Sequence, residues 1–293
     1  MPAHRLDLPL PLKREVRQRC GFGCVLCGLP IYEYDHILGW ANVRRHVASE
    51  ITLLCDNHHR AKTAGFLPNE RVIEANRQPW NLRAGVTKPY ELYYSGNRFH
   101  LQMGFEYSGI VNGPRKVLEA LRVDDEPLFW IVLEDNHYLL NLKVYDSQER
   151  LTLHISDNEL VLNTHPWDIE IIGSRLTIRE ASRNILFDVL FKPPSTVIVR
   201  RGRFIRNGIE ALAMADWFAI LNTYSIYRDI RMDETCRVAW YFGDTPPPYT
   251  AVHHDGKPRN GWNREANITK LRSMAAEAGL SVRAFDELLA VKL

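Results

Sequence analysis

The sequence predicts an α+β chain, and three observations carry that prediction. Cys24-Val-Leu-Cys27 and Cys55-Asp-Asn-His58 stand about thirty residues apart, a spacing that lets two half-sites close one tetrahedral zinc site and staple a small N-terminal unit. Between residues 128 and 204, short runs rich in β-branched and aromatic residues recur at about eight- to twelve-residue intervals between turn signals. That rhythm predicts a central antiparallel β-rich domain, built as a sandwich, barrel or stacked sheet. Near the C-terminus, residues 264–278 read as a helix stopped by Gly279, the residue best suited to the left-handed position beyond a helix end. The chain accordingly divides into an N-terminal unit (1–65), a mixed connecting region (66–127), the β-rich domain (128–208) and a helical and loop region (209–293).

Taken in order, residues 12–19 predict a short basic helix, ended by Gly21 and Gly23 as the chain enters the Cys24–Cys27 knuckle. Residues 31–37 alternate weakly and supply the first strand of a hairpin. A loop through Trp40 and Arg44, Arg45 and His46 leads to a second strand at 51–54. A helix then starts near Asp56, whose carboxylate suits the N-cap, and His58, His59 and Lys62 share its first turns. Pro68, Pro79, Pro89 and Pro114 break the next stretch, within which residues 90–107 are aromatic and strand-like. The central strands are expected at 128–133, 138–145, 151–155, 160–162, 167–172, 176–178, 185–191 and 197–204. Beyond them, 211–224 is apolar at helical spacing, Thr245-Pro-Pro-Pro-Tyr249 reads as a loop or polyproline stretch, and Ser281 caps a last helix.

Composition narrows the function classes. The 293 residues allow about two domains with sizeable cores. A net charge of +2 provides no global basic field, so any polyanion partner must be met by local clusters. Two exist: Lys13, Arg14, Arg17, Arg19, Arg44, Arg45, Arg60 and Lys62 near the cysteines, and Arg200, Arg201, Arg203 and Arg206. Five cysteines, three of them in ligand spacing, fit a reducing compartment better than a disulfide framework. The N-terminus has no apolar leader. The most apolar helical stretch, 211–221, contains Asp216 and is about half a bilayer span. A cytoplasmic protein with no membrane partner is expected.

The zinc ligands are Cys24, Cys27, Cys55 and His58, with Cys20 as a poorer substitute for Cys55. Between the half-sites lies Asp35-His36, and His59 follows the last ligand. Phosphodiester hydrolysis needs an activated water, charge stabilisation at phosphorus and help for the leaving oxygen. A histidine supplies the first, because its pKa near ~6.5 leaves it a usable base at neutral pH. A divalent metal supplies the other two. Neighbours on a strand point to opposite sides, so Asp35 can hold metal while His36 meets water if the strand bends there.

Residues 13–63 resemble the HNH endonucleases. In that family a Cys-x2-Cys pair precedes Asp-His-Ile and then Asn-Leu-x-x-Leu-Cys-x-x-Cys-His-x-x-Lys. This chain has Asp35-His36-Ile37 and Glu50-Ile51-Thr52-Leu53-Leu54-Cys55-Asp56-Asn57-His58-His59-Arg60-Ala61-Lys62. It departs at His58, which stands for a cysteine, and at Glu50, which stands for the middle asparagine. The resemblance implies a ββα-metal unit with structural Zn2+ and a catalytic Mg2+ or Mn2+. In it His36 is the general base, Asp35 and His59 hold the catalytic metal, and Glu50 lies where the base is oriented. Glu50 can accept from His36 Nδ1–H, and Asn42 and Asn57 are the other candidates for that role.

The implied substrate is DNA, with RNA left open, cut to 5′-phosphate and 3′-hydroxyl ends. Arg44, Arg45, Arg60 and Lys62 are expected at phosphates, with His46 nearby and the second arginine cluster extending the path. A nuclease unit joined to a large unrelated domain also resembles bacterial restriction and anti-phage effectors, in which the β-rich part would select targets, sense a trigger or form a homo-oligomer. The competing reading is a non-catalytic, zinc-stapled nucleic-acid-binding module, against which stand the retained Asp35, His36, His59 and Lys62. His253-His254-Asp255 looks metal-like but has no second half and is expected as a plain loop.

Overall fold

The computed structural model describes residues 7–162, 166–182, 184–244, 247–248, 251–254 and 263–289. The fold is α+β, largely β-sheet with few helices, and it separates into two compact units. The first holds residues 1–90 with 159–163 and 167–170; the second holds the remainder. No helix among the described residues is long and apolar enough to cross a membrane.

In the first unit, α1 (Leu10–Arg19) has proline in its first turn and Arg17 and Arg19 in its last, both favourable placements for a helix. β1 (Glu33–His36) follows the knuckle, and α2 (Trp40–Val43) lies in the connection to β2 (Ile51–Leu54). The two strands form an antiparallel hairpin with Glu33 opposite Leu54, Asp35 opposite Thr52 and His36 opposite Ile51. α3 (Asp56–Thr63) begins one residue later than its capping position: Cys55 is the N-cap, not Asp56, whose charge sits in the first turn instead. α4 (Asn69–Arg77) and α5 (Trp80–Ala84) complete the run.

Val16, Val25, Ile37, Ile51, Leu53, Leu54 and Val72 form the core of this unit, each such side chain contributing about 1.5–3 kcal/mol by leaving water. Gly28 is obligatory here. Its φ is +82°, and a Cβ would lie 2.2 Å from the Trp80 ring.

Arg17 closes the unit onto residues 167–170. Its guanidinium is bidentate to Asp168 (2.8 and 2.7 Å) and reaches Glu170 at 2.7 Å and the Tyr34 hydroxyl at 2.6 Å, with a side chain only 3% exposed. Expected among phosphate contacts, Arg17 is instead a buried structural tie. Thr87 similarly binds residue 160, donating its N–H to the Leu160 carbonyl and accepting the Leu160 N–H.

The second unit opens with β3 (Leu92–Tyr93) and a hairpin of β4 (Arg98–Gln102) and β5 (Glu106–Ile110). An antiparallel meander follows: β6 (Arg115–Val123), β7 (Glu126–Glu134), β8 (His137–Tyr145) and β9 (Leu151–Ser156). β10 (Glu159–Val161) and the first part of β11 (Asp168–Ile172) count with the first unit. A second meander runs through β12 (Arg175–Ala181), β13 (Asn184–Lys192), β14 (Thr196–Arg206), β15 (Ile209–Met214), β16 (Trp217–Ile220) and β17 (Ser225–Arg228). β18 (Arg231–Asp233), β19 (Val238–Phe242) and β20 (Ala251–His254) close the strand list. One sheet carries β9-β8-β7-β6-β19-β20; the other carries β12 to β17 in sequence, with β4 against β14. Phe129 meets Phe187 at 5.5 Å, and Phe218 stacks on Trp240 at 4.4 Å, so aromatic rings fill the space between the sheets.

Several expectations are corrected. Residues 211–224, expected as a helix, are β15, β16 and a turn; both strands are buried on both faces, and such a run has no alternation to distinguish it from a helix. β6 was not anticipated, because register shifts between Glu119 and Arg122 break its period of two. The sheets are not wholly antiparallel: β19 is parallel to β6 and β20, and β4 to β14, and the β6–β19 and β4–β14 pairings join strands about a hundred residues apart, which leaves no local signature. His253 and His254 lie on edge strand β20, not in a loop; His253 Nε2–H donates to the Gly243 carbonyl at 2.9 Å. Asp255, residues 245, 246 and 249 of the proline stretch, residues 164 and 165 of the expected Thr-His-Pro turn signal and residues 290–293 lie outside the described residues.

At the C-terminus, α6 (Arg264–Glu277) is capped by Asn263, which accepts from Ala266 N–H at 3.0 Å, and stops before Gly279 at φ +71°. α7 (Val282–Leu289) follows and packs Phe285 near Trp217.

The arginine cluster at 201–206 serves this unit internally. Arg203, 3% exposed, pairs with Glu210, which also takes two hydrogen bonds of 2.8 Å from Arg264. Arg201 pairs with Glu287 and Arg206 with Glu126. Burial alone would raise the Glu210 carboxyl, but the Arg264 hydrogen bonds and the two positive charges hold it below the usual glutamate range. Its contribution is therefore complete above the unfolded-state value of about 4.3 and is lost as pH falls through the lower folded value. Glu210→Gln should cost about 3–5 kcal/mol at pH 7 by stranding buried Arg203, and urea unfolding should show the gap to wild type closing toward pH 3. A gap independent of pH would refute this assignment.

Candidate functional site

The knuckle between α1 and β1 is fixed to the hairpin by Val25 N–H, which donates to the Leu53 carbonyl at 3.0 Å. Cys55 follows β2 directly and caps α3, so Cys55 and His58 come to the same place from one helical turn. Cys24 Sγ and Cys55 Sγ each lie 3.3 Å from His58 Nδ1, and Cys27 Sγ lies 3.8 Å from Cys55 Sγ. All four ligand atoms are within 4.8 Å of one another. With Zn–S near ~2.3 Å and Zn–N near ~2.0 Å, a tetrahedral site requires S–S of about 3.8 Å and S–N of about 3.5 Å. The cluster is compatible with structural Zn2+.

Cys20 stands apart, buried, with its sulfur 4.0 Å from Thr52 Oγ1. The hydrogen bond with Cys27, aided by burial, pushes the Cys24 thiol up to about 12, while the same bond pulls Cys27 down. A bound dication would supply the charge that lets such a crowded set ionise.

Beside this cluster a second group forms. Successive helical residues diverge by about 100°, so His58 turns to the cysteines while His59 faces β1. Glu33 and Asp35, two apart on the strand, present the same face to it. His59 Nδ1 is 2.8 Å from Glu33 Oε2, and its Nε2 is 3.6 Å from Asp35 Oδ1. The other Asp35 oxygen accepts from Lys62 Nζ at 2.5 Å, and the same ammonium donates to the His36 carbonyl at 2.8 Å. His36 is 2% exposed, with its Nε2 3.2 Å from His46 Nδ1. Trp40 stacks on His46 at 4.8 Å and covers the His36 ring from 5.1 Å.

The expected residues are thus placed unevenly. Asp35 and His59 come together, whereas the His36 ring packs against His46 and Trp40. Glu50 spends its carboxylate on Arg45, whose hydrogen bonds hold the acid below its usual range. Asn42 donates to the Leu38 carbonyl, and Asn57 is exposed. Lys62, expected at phosphate, has a 9% exposed side chain turned onto Asp35. Arg44 and Arg60 are exposed, and Arg45 shares its charge with Glu50. Arg14 stacks on Trp167 at 4.1 Å, and Arg19 binds Asn76 and the Ala48 carbonyl. Sequence reasoning missed Glu33 and the Trp40–His46 stack. A carboxylate two residues before Asp35, on the same strand face, was the available signal for Glu33.

The 3.6 Å between Asp35 Oδ1 and His59 Nε2 is a separation that two donors to one divalent ion can have. Two donors bound to one ion at about 2.1 Å each lie at most about 4.2 Å apart, and oxygen with imidazole suits magnesium, manganese or zinc. No protein-family model matches the chain, and neither a curated protein nor a solved structure matches it.

Proposed function

We propose that the chain is an endonuclease hydrolysing DNA phosphodiester bonds with a divalent metal and a histidine base, its first unit being a ββα-metal module of the HNH type. One observation carries this reading: a single hairpin and helix bring Asp35 Oδ1 and His59 Nε2 to 3.6 Å, with His36 the next residue on the strand, on a scaffold that holds the Cys3His cluster. Mg2+ or Mn2+ held by Asp35 and His59 would supply charge stabilisation at phosphorus and at the departing 3′-oxygen.

The chain's own residues supply the rest. His36 would take the proton of the attacking water, whose approach must open the contacts that Trp40 and His46 make with a ring only 2% exposed. Lys62 holds one Asp35 oxygen and leaves the other facing His59. Arg44 and Arg60, both exposed, would meet phosphates, and the fusion to a β-rich unit suits a restriction or anti-phage effector.

Supercoiled plasmid incubated with Mg2+ or Mn2+ should become nicked and then linear, and EDTA should stop the reaction; a structured RNA run in parallel tests the substrate class. Binding without cleavage in either metal would select the zinc-stapled binding module instead.

A further inference from the structure

His36 ends β1, yet its ring is only 2% exposed, and two side chains from the loop that follows cover it. Trp40 lies 5.1 Å from the ring and His46 5.3 Å from it, and the two covering rings stack on each other at 4.8 Å. His46 Nδ1 also comes to 3.2 Å from His36 Nε2. A side chain that must meet water and a phosphodiester is thus closed off by one stretch of chain, residues 38–47.

That stretch is tied at its ends and loose between them. Ile37 N–H donates to the Glu50 carbonyl at 2.9 Å, and Arg19 holds the Ala48 carbonyl at 2.9 Å. Inside these anchors the bonds are local. The N–H groups of Gly39, Asn42, Val43 and Arg44 donate to carbonyls within residues 36–40, and the Asn42 amide donates to the Leu38 carbonyl. Gly39 at φ +80° and Arg44 at φ +47° flank α2 as its N-cap and C-cap, and hinges are commonly such element-terminal residues. A fixed surface cluster could show the same ring distances, but it would need anchoring side chains. α2 has no buried residue, and among the described residues none of 38–47 belongs to the core around Val16 and Ile51. Segments with local hydrogen bonds and few buried contacts open at the lowest cost.

One ion pair ties the loose part to its anchored end. Arg45 Nε donates to Glu50 Oε2 at 3.0 Å, and its Nη2 donates to Oε1. The Arg45 side chain is 66% exposed, and a pair that open to solvent contributes little. A phosphate offers a guanidinium the same two acceptor oxygens as a carboxylate. A nucleic-acid backbone can therefore take Arg45 from Glu50.

We propose that residues 38–47 are a lid that closes His36 in the free protein, latched by Arg45 on Glu50 and released when phosphate takes Arg45. The proposal rests on the nuclease reading for its purpose, since it uncovers the base only against a polyanion.

The test uses the full chain with its zinc retained and no magnesium or manganese added. His36→Cys places a thiol under the lid, and its alkylation by iodoacetamide is read peptide by peptide by mass spectrometry. With an open state populated at about 10% or less, removing the lid should speed that reaction by about tenfold or more. Trp40→Ala added to His36→Cys should show this acceleration, and Glu50→Ala, which frees the latch but keeps both rings, a smaller one. Inorganic phosphate should speed alkylation beyond chloride at equal ionic strength, and that gain should vanish in Glu50→Ala. An unchanged rate in a Trp40→Ala protein that keeps its fold and zinc overturns the lid. Should Trp40→Ala fail to fold, an unchanged Glu50→Ala rate overturns it instead. Equal rates in phosphate and chloride overturn the release. With His36 intact, Trp40→Ala should raise kcat/KM for plasmid nicking by about tenfold, because a closed fraction lowers the apparent affinity in proportion. Nicking no faster than wild type by a folded Trp40→Ala protein overturns the inhibitory role. If neither protein cuts any nucleic acid, the nuclease reading fails alone, since alkylation is read without cleavage.

Discussion

His36→Ala should fold, keep its zinc, bind DNA and lose cleavage by at least ~10²-fold, the usual scale of a general base. The loss is confined because the Cys24, Cys27, Cys55 and His58 cluster does not include His36, and neither does the Asp35–His59 pair. Its ring does pack beneath Trp40 and His46, so His36→Gln, closer in volume, is the companion variant that separates lost chemistry from lost packing.

Mutants of the metal-holding pair should fail differently. His59→Ala should lose metal affinity, and raised Mn2+ should restore part of its cleavage, whereas no metal concentration should rescue His36→Ala. Asp35 is best changed to Asn. Removing the side chain outright would strand the buried Lys62 ammonium and add a folding defect. A His36→Ala protein that nicks plasmid at the wild-type rate would remove the base from the mechanism.

The second large effect is structural. Cys27→Ala should lose stoichiometric zinc and with it the order of residues 20–63. Binding of structural zinc by small units is worth on the order of 10–16 kcal/mol, and that free energy is folding free energy. Without zinc the knuckle keeps only a few backbone ties, Val25 N–H to the Leu53 carbonyl and the Trp80 and Lys88 N–H groups to the Val25 and Gly28 carbonyls, and the small core around Val16, Ile51 and Leu53. Hydrogen exchange should accelerate across 20–63 in the variant while the protected strands β6 to β8 and β13 to β15, which have their own aromatic core, keep wild-type rates. Purified, unchelated wild-type protein with no zinc by elemental analysis would count decisively against the site.

The sequence by itself determined what short-range chemistry can write. Ligand spacing named Cys24, Cys27, Cys55 and His58; the hairpin pattern named the strands that carry Asp35 and His36; Asn263 and Gly279 bracket α6 within a turn of where composition put it. Each depends on residues a few positions apart, or on ligand types that have few other uses. Tertiary structure alone decided what the charges do. Arg17 finds Asp168 across 151 positions, Arg203 is claimed by Glu210 and Arg264, Lys62 turns inward to Asp35, and Glu50 goes to Arg45 instead of His36. It also decided that residues 209–220 are strands. A basic residue reads the same whether it will face phosphate or a buried acid, and an apolar run reads the same in a sheet buried on both faces as in a core helix. The difference is set by which surface the folded chain brings opposite, and by the cost of leaving a charge there unpaired.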